Sequence, residues 1–287
     1  MAATKTAKEI ALKKLGNGCF SLTFLWRLRK KEYVLKCPAQ KGHFVYKKWF
    51  FHVQRENLFL KEYAPKQQEI VLPKMVEMFD HYVVQKKIEG IPLTAQVYAH
   101  LPLLEQQKVT QQLAHFFFKL HKKTIQHISD KPKNRVILGK CLNFLDEEEK
   151  CFYQEARALL RKNPLTCTFS CLCITDLKAN HILYNPKTKK VGMVDFGSIH
   201  FDFPESEFIV KNPIRSQLSL QMMKNVIEAY NMLQKKEIVS LKRIKGYLSL
   251  YALNEIYSGY VNKILLPSEK KRLKKISLDF FQKLKQL

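Results

Sequence analysis

The chain has 287 residues, 46% of them hydrophobic, and carries 50 Lys and Arg against 25 Asp and Glu, a formal charge of +25. That length buries a sizeable core and predicts one large domain or two packed lobes, which excludes a fibrous or disordered chain. The opening residues mix lysines with isolated apolar positions rather than a central apolar run of about 7–15, and no apolar run nears the roughly 20 residues of a membrane span, so a cytoplasmic protein is expected.

Along the chain, β-rich segments fall at 10–15, 20–28 and 32–37, the first two joined by a glycine turn. Residues 44–63 carry a helical pattern that stops before Pro65, since a residue ahead of proline resists helical geometry. Residues 75–88 read as two more strands, closed by the breaker EGIP. From Glu105 the period changes. Val109, Leu113, Phe116 and Leu120 recur at spacings of four, three and four, which draws one apolar stripe along a helix. A further helix is predicted over 146–161, with an acidic first turn that suits the helix dipole. Strand character returns at 168–174, and the short runs 181–184 and 191–194 flank the turn NPKTKK, which reads as a hairpin. Beyond Pro213 three amphipathic helices are expected near 216–234, 239–259 and 268–286. The lysine-rich face of the last suits either docking on the helical lobe or a membrane surface.

The seven cysteines are odd in number and scattered, so free thiols are expected. Cys167, Cys171 and Cys173 crowd into the run CTFSCLC, but it reads as a buried strand and lacks the C-x-x-C spacing of a zinc site. The net charge calls for an anionic partner. Nucleotides, phosphorylated metabolites, membrane surfaces and nucleic acids all qualify, and a lysine-rich solvated surface accounts for the charge equally well.

The chemistry concentrates in ITDLKANHILYNPKTKKVGMVDFGS, where Asp176 and Asp195 bracket the predicted hairpin. Upstream, LGNGCFS sets Gly16 and Gly18 between two strands, where glycines let backbone N–H groups approach phosphate oxygens or simply serve a turn. Lys36 lies in the strand YVLKCP, and Glu56 lies in the following helix. In this order the set resembles protein kinases, with their V-A-I-K lysine, H-R-D-L-x-x-x-N loop and DFG. Within that superfamily it is most similar to the aminoglycoside phosphotransferases and choline kinases. Leu120 and His121 end a helix of the kinase type, yet a further predicted helix separates them from Asp176. That insertion resembles the small-molecule branch, and RIKGYLSLYALNEIYSGY resembles its C-terminal helices.

The resemblance implies an α+β, protein-kinase-like bilobal fold. A small β-rich lobe would span 1–90 and bind nucleotide, and a large helical lobe over 91–287 would hold the catalytic loop and acceptor site. It implies an ATP-dependent phosphotransferase with Mg²⁺, acting on a small-molecule hydroxyl; GTP and Mn²⁺ remain open. Asp176 would orient the acceptor and take its proton, while Asp195 would hold the metal. Gly16, Gly18, Lys36, Glu56 and the DLK lysine, Lys178, would meet the nucleotide, and backbone groups of residues 85–88 would meet the adenine. Two positions depart from the family pattern. Ile174 stands where a histidine is usual, and His181 stands where the metal-binding asparagine is usual. Mg²⁺ prefers oxygen donors, so His181 would suit Mn²⁺, touch phosphate or merely pack, and Asn180 is the alternative amide donor. Asp202 and Glu207 in FDFPESEF either support the loop or form a surface acidic turn. These departures admit a pseudokinase that binds or scaffolds without catalysis, and a protein or lipid kinase is the third possibility.

Overall fold

The structure is a computed structural model. It describes residues 11–17, 21–28, 30–39, 43–62, 69–127, 147–164, 167, 169–209, 213, 216–261 and 267–286. In chain order the elements begin with β1 (Ala11–Asn17), β2 (Ser21–Leu28), β3 (Lys31–Pro38), α1 (His43–Glu62), β4 (Met75–Met78), β5 (Val83–Lys86) and β6 (Ile91–Pro92). There follow α2 (Ala95–His100), α3 (Leu103–Lys123), β7 (Gln126–His127), α4 (Glu147–Lys162) and β8 (Phe169–Ile174). The last are β9 (Ile182–Asn185), β10 (Lys190–Met193), β11 (Ile199–Asp202), α5 (Leu220–Gln234), α6 (Leu241–Val261) and α7 (Pro267–Gln286). The chain divides into two compact units. One comprises Met1–Ile91 with Leu183–Ile199, and the other Pro92–Ile182 with His200–Leu287.

In the first unit β1 to β5 form a five-stranded sheet in the order β1-β2-β3-β5-β4. The β2–β3 hairpin keeps strict antiparallel register from Ser21 opposite Pro38 to Leu28 opposite Lys31. Its turn runs through Lys30 at φ 65°, in the left-handed region that tight hairpins require. Helix α1 buries Trp49 and Val53 with Val83 of β5, and Tyr46, Phe50, Met75 and Met78 pack around them. The alternation of strand side chains and the helical spacing of Trp49 and Val53 direct both elements toward one core. The β9–β10 hairpin turns as its sequence predicts. The Asn185 side-chain oxygen accepts from the N–H groups of Lys187 and Thr188, and Lys189 adopts φ 55°.

The second unit is helical around a short sheet in which β8 lies between β7 and β11. The stripe Val109, Leu113, Phe116 and Leu120 on α3 is wholly buried. Helix α5 starts on a Ser219 cap, whose hydroxyl accepts from the Met222 N–H, and ends on Lys235 in the left-handed conformation. Helix α4, within the insertion, packs Ala156, Tyr153 and Leu160 on Leu250 of α6. Gly246 permits that approach: a Cβ there would stand 2.9 Å from Leu160 Cγ and 3.1 Å from the Ala156 carbonyl oxygen. Arg243 of α6 ties the arrangement down. It donates to the Glu205 carboxylate at 2.8 Å and to the Asn163 carbonyl at 2.7 Å, and both ionic partners are buried. Helix α7 seals the far end, where Phe281 stacks on Phe152 of α4. Among the described residues, no helix is long and apolar enough to cross a membrane.

Candidate active site

Within the first unit Lys36, Glu56 and Asp195 form one connected group. Lys36, on β3, donates to both Glu56 carboxylate oxygens at 2.9 and 2.8 Å, and the side chains are only 11% and 3% exposed. Burial alone would lower the pKa of the Lys36 ammonium. The carboxylates of Glu56 and Asp195 outweigh that cost and hold it above the usual lysine range. Asp195 is itself exposed and sits at φ 67°, a left-handed conformation that an Asp tolerates better than a bulky side chain.

The two residues after Asp195 are clamped to α1. Phe196 is fully buried and stacks on Phe59 with ring centroids 4.5 Å apart. The His52 ring Nδ1 lies 2.7 Å from the Gly197 carbonyl oxygen, to which its N–H donates. A Cβ at position 197 would stand 2.9 Å from that ring, so the glycine is there for close approach. His52, Glu56 and Phe59 are spaced four and three along α1 and therefore share one face. Sequence reasoning singled out only Glu56. The spacing was the signal that could have found the other two.

On the glycine turn, β1 carries an irregularity between Lys14 and Gly16 in its pairing with β2. A Cβ added at Gly16 would meet nothing within 4 Å. Gly18 lies outside the described residues. For residues 85–88, the Lys86 N–H already donates to the Lys74 carbonyl and the Lys87 N–H to the Glu32 carbonyl. Gln85 is buried within the strand, and Ile88 packs where a Cβ on Gly192 would collide with it. The amides of Lys86 and Lys87 are thus already engaged within the protein.

Within the second unit, β8 delivers the chain into the loop around Asp176. Ile174 is buried, and its N–H donates to Glu207 Oε2 at 3.0 Å. Leu177 and Ile182 are buried and line an apolar cavity with Phe117, Phe208 and Met222, which turns this side of the loop inward. The Ala179 N–H donates to the Ser216 carbonyl at 3.0 Å. Asp176 is half-buried and accepts from Lys178 Nζ at 2.7 Å. Asn180 is exposed, whereas His181 is buried with its Nδ1 2.9 Å from the Asp176 carbonyl oxygen. Its ring therefore braces the loop's own backbone. Asp202 and Glu207 are both buried, so FDFPESEF is no surface turn. Glu207 holds the strand end, and Asp202 accepts from the Phe203 N–H and faces His200 Nε2 at 3.4 Å.

Asp195 and Asn180 offer oxygen donors on exposed side chains, the donor type that Mg²⁺ takes. His181 fits that ion poorly by its nitrogen donor.

Comparison with solved structures returns aminoglycoside phosphotransferases. The chain is similar to the ADP-bound aminoglycoside phosphotransferase APH(2'')-Ib at 21% identity, with 96% of this chain and 93% of that one covered and a TM-score of 0.56. It is similar to the GDP complex of wild-type aminoglycoside 2'-phosphotransferase-IIIa at 15% identity, covering 95% and 93%, with a TM-score of 0.67. The streptomycin-ATP ternary complex of APH(2")-IIa matches at 19% identity, covering 98% and 93%, with a TM-score of 0.56. No protein-family model and no curated protein matches the sequence. At these identities the likeness is one of fold: an α+β, protein-kinase-like fold with a β-sheet N-terminal region and a helical C-terminal region.

Proposed function

We propose that this chain, with the protein-kinase-like fold of the aminoglycoside phosphotransferases, transfers the γ-phosphoryl group of ATP, with GTP as the alternative donor, to a hydroxyl of a small molecule. The observation that carries the reading is the buried, two-pronged Lys36–Glu56 pair, with the Asp195 charge acting on the same ammonium. A buried cation held this way is preorganised to meet phosphate oxygens, because its side chain loses little further freedom on binding. Gly16 lies on the irregular end of β1 with open space around its Cα, which leaves the backbone accessible to a phosphate.

Mg²⁺ bound with the nucleotide would supply charge neutralisation at the phosphate oxygens. Asp195 would hold it through its carboxylate oxygens. Asp176 orients the acceptor hydroxyl and takes its proton as the new O–P bond forms and the bond to the departing nucleotide diphosphate breaks. Lys178, 2.7 Å from Asp176, fixes the carboxylate's direction. His181 braces the loop through its Nδ1 at the Asp176 carbonyl, and its nitrogen donor suits Mg²⁺ less well than an oxygen.

The test begins with melting temperature in ATP or GTP with Mg²⁺, Mn²⁺ or chelator, because a ligand of the native state raises it. A metal-dependent shift is expected, followed by phosphorylation of kanamycin, gentamicin or another polyhydroxylated amine detected by product mass. Loss of nucleotide turnover in Asp195→Ala is required; undiminished turnover there defeats the assignment. The rival reading, a pseudokinase, is favoured by one observation, the histidine at 181 engaged with backbone. A large gain of Mg²⁺-dependent turnover in His181→Asn would support it.

A further inference from the structure

Behind the loop, and outside the chemistry proposed above, four metal-ligating side chains from three elements converge in the interior of the second unit. Cys171 and Cys173 alternate onto one face of β8, His121 comes from the last turn of α3, and Glu207 comes from the turn after β11. All four are buried, and the ligand atoms of His121, Cys171 and Cys173 lie within 4.8 Å of one another. We propose that His121, Cys171 and Cys173 hold a thiophilic cation, zinc, which locks β8 to α3 just before the Asp176 loop, with the Glu207 carboxylate beside His121 as the nearest group to the fourth position.

The distances carry the proposal. Donors bound to one tetrahedral zinc stand about 3.8 Å apart for two sulfurs, about 3.6 Å for sulfur and nitrogen, and about 3.3 Å for nitrogen and oxygen. Cys171 Sγ and Cys173 Sγ are 3.7 Å apart, Cys173 Sγ and His121 Nε2 are 3.9 Å apart, and His121 Nε2 and Glu207 Oε2 are 3.3 Å apart. The spacing C-x-C cannot close such a site alone, which is why the cysteine run looks unpromising as sequence. The missing ligands come from distant positions.

The surroundings agree. His121 Nδ1 lies 2.9 Å from the Tyr230 hydroxyl, which also accepts from Gln234 Nε2 at 2.9 Å. With its Nδ1–H donated to Tyr230, the ring offers Nε2 to the cation in place of the proton that faces Glu207 Oε2 in the cation-free site, the outer-shell arrangement that metal-bound histidines use. Glu207 is wholly buried, and its Oε1 has no hydrogen-bond partner. Three carbonyl oxygens, those of Cys171, Asp202 and Phe203, lie 3.3 to 3.6 Å from Cys173 Sγ and receive its proton when no cation is bound. Because the site is enclosed, the ion enters during folding rather than by exchange with the finished protein.

The test uses the full chain expressed in minimal medium supplemented with zinc or with cobalt and purified under reducing conditions without chelator. About one zinc per chain is expected by elemental analysis, and the double variant Cys171→Ser with Cys173→Ser should retain less than about a tenth of it. The cobalt form should show thiolate-to-metal charge transfer and the intense visible bands of four-coordinate cobalt. Tyr230→Phe, which keeps the ring, should weaken cobalt affinity about tenfold while preserving the shape of the spectrum. A wild-type cobalt spectrum without thiolate charge transfer overturns the proposal, as does full zinc retention in the double variant or a Cys171–Cys173 disulfide in the intact mass. The wild-type spectrum needs no substitution, so it decides the matter even where the serine variant does not fold.

Discussion

The two halves of the proposed chemistry rest on different kinds of construction. On the nucleotide side, motif and contacts agree: the lysine of YVLKCP meets the glutamate of the next helix, and the Phe and Gly of DFG dock on that same helix. Around Asp176 the motif departs from the kinase pattern it resembles, with Ile174 and His181 in altered places, yet the contacts are no looser. Ile174 is buried and tied to Glu207, and His181 reaches the Asp176 backbone. The loop's shape is therefore maintained by a different set of partners, and an altered motif letter is not by itself a broken site.

The sharpest way to break this comparison is Asp176→Asn. If the loop is catalytically intact, the turnover number should fall about 10²–10⁴-fold with nucleotide affinity unchanged. An unchanged rate would leave only the nucleotide side functional. Next comes the buried ion pair. Lys36→Met strands Glu56 in the interior and should destabilise the protein by about 3–5 kcal/mol in denaturant unfolding. Adding Glu56→Leu should recover most of that loss without restoring the nucleotide-induced rise in melting temperature, which marks the pair as functional. Arg243→Met, which strands Glu205 in the second unit, should cost a similar amount, but turnover per folded molecule should stay within about twofold. Gly246→Val should lose about 1–3 kcal/mol, because the added carbons meet Leu160 and the Ala156 carbonyl. The smallest stability effect belongs to Gly16→Val, within about 0.5 kcal/mol, since nothing lies within 4 Å of the new Cβ. The nucleotide-induced melting shift should nonetheless shrink in that variant.

Most elements were legible because their periods are long enough to speak. The α3 stripe, the β2–β3 hairpin and the three C-terminal helices all fall close to their expected places. Helix α2 was not foreseen: six residues hold less than two turns, and its start depends on the Thr94 hydroxyl accepting from the Val97 N–H. Lys36, Glu56, Asp176 and Asp195 could be picked out because charged residues in a fixed order are rare signals. His52 and Phe59 could not, because their importance lies in what distant segments bring to them. Residue type alone gives a buried histidine no mark that separates it from a surface one. Even the acidic stretch FDFPESEF left a choice between support and surface turn, which only the burial of Glu207 beneath Ile174 resolves.

The three-point face of α1 has a mechanical consequence. An α-helix turns about 100° per residue, so a slip of one position about its axis would carry His52, Glu56 and Phe59 off their partners together. An ion pair, a ring stack and a hydrogen bond to a carbonyl respond to different solvents and salts, yet here they share one degree of freedom. Intermediate settings of the helix keep none of the three in good geometry. The segment should therefore behave as a detent, either seated or released, and ionic strength, which weakens the Lys36–Glu56 contact least because it is buried, should do little to loosen it.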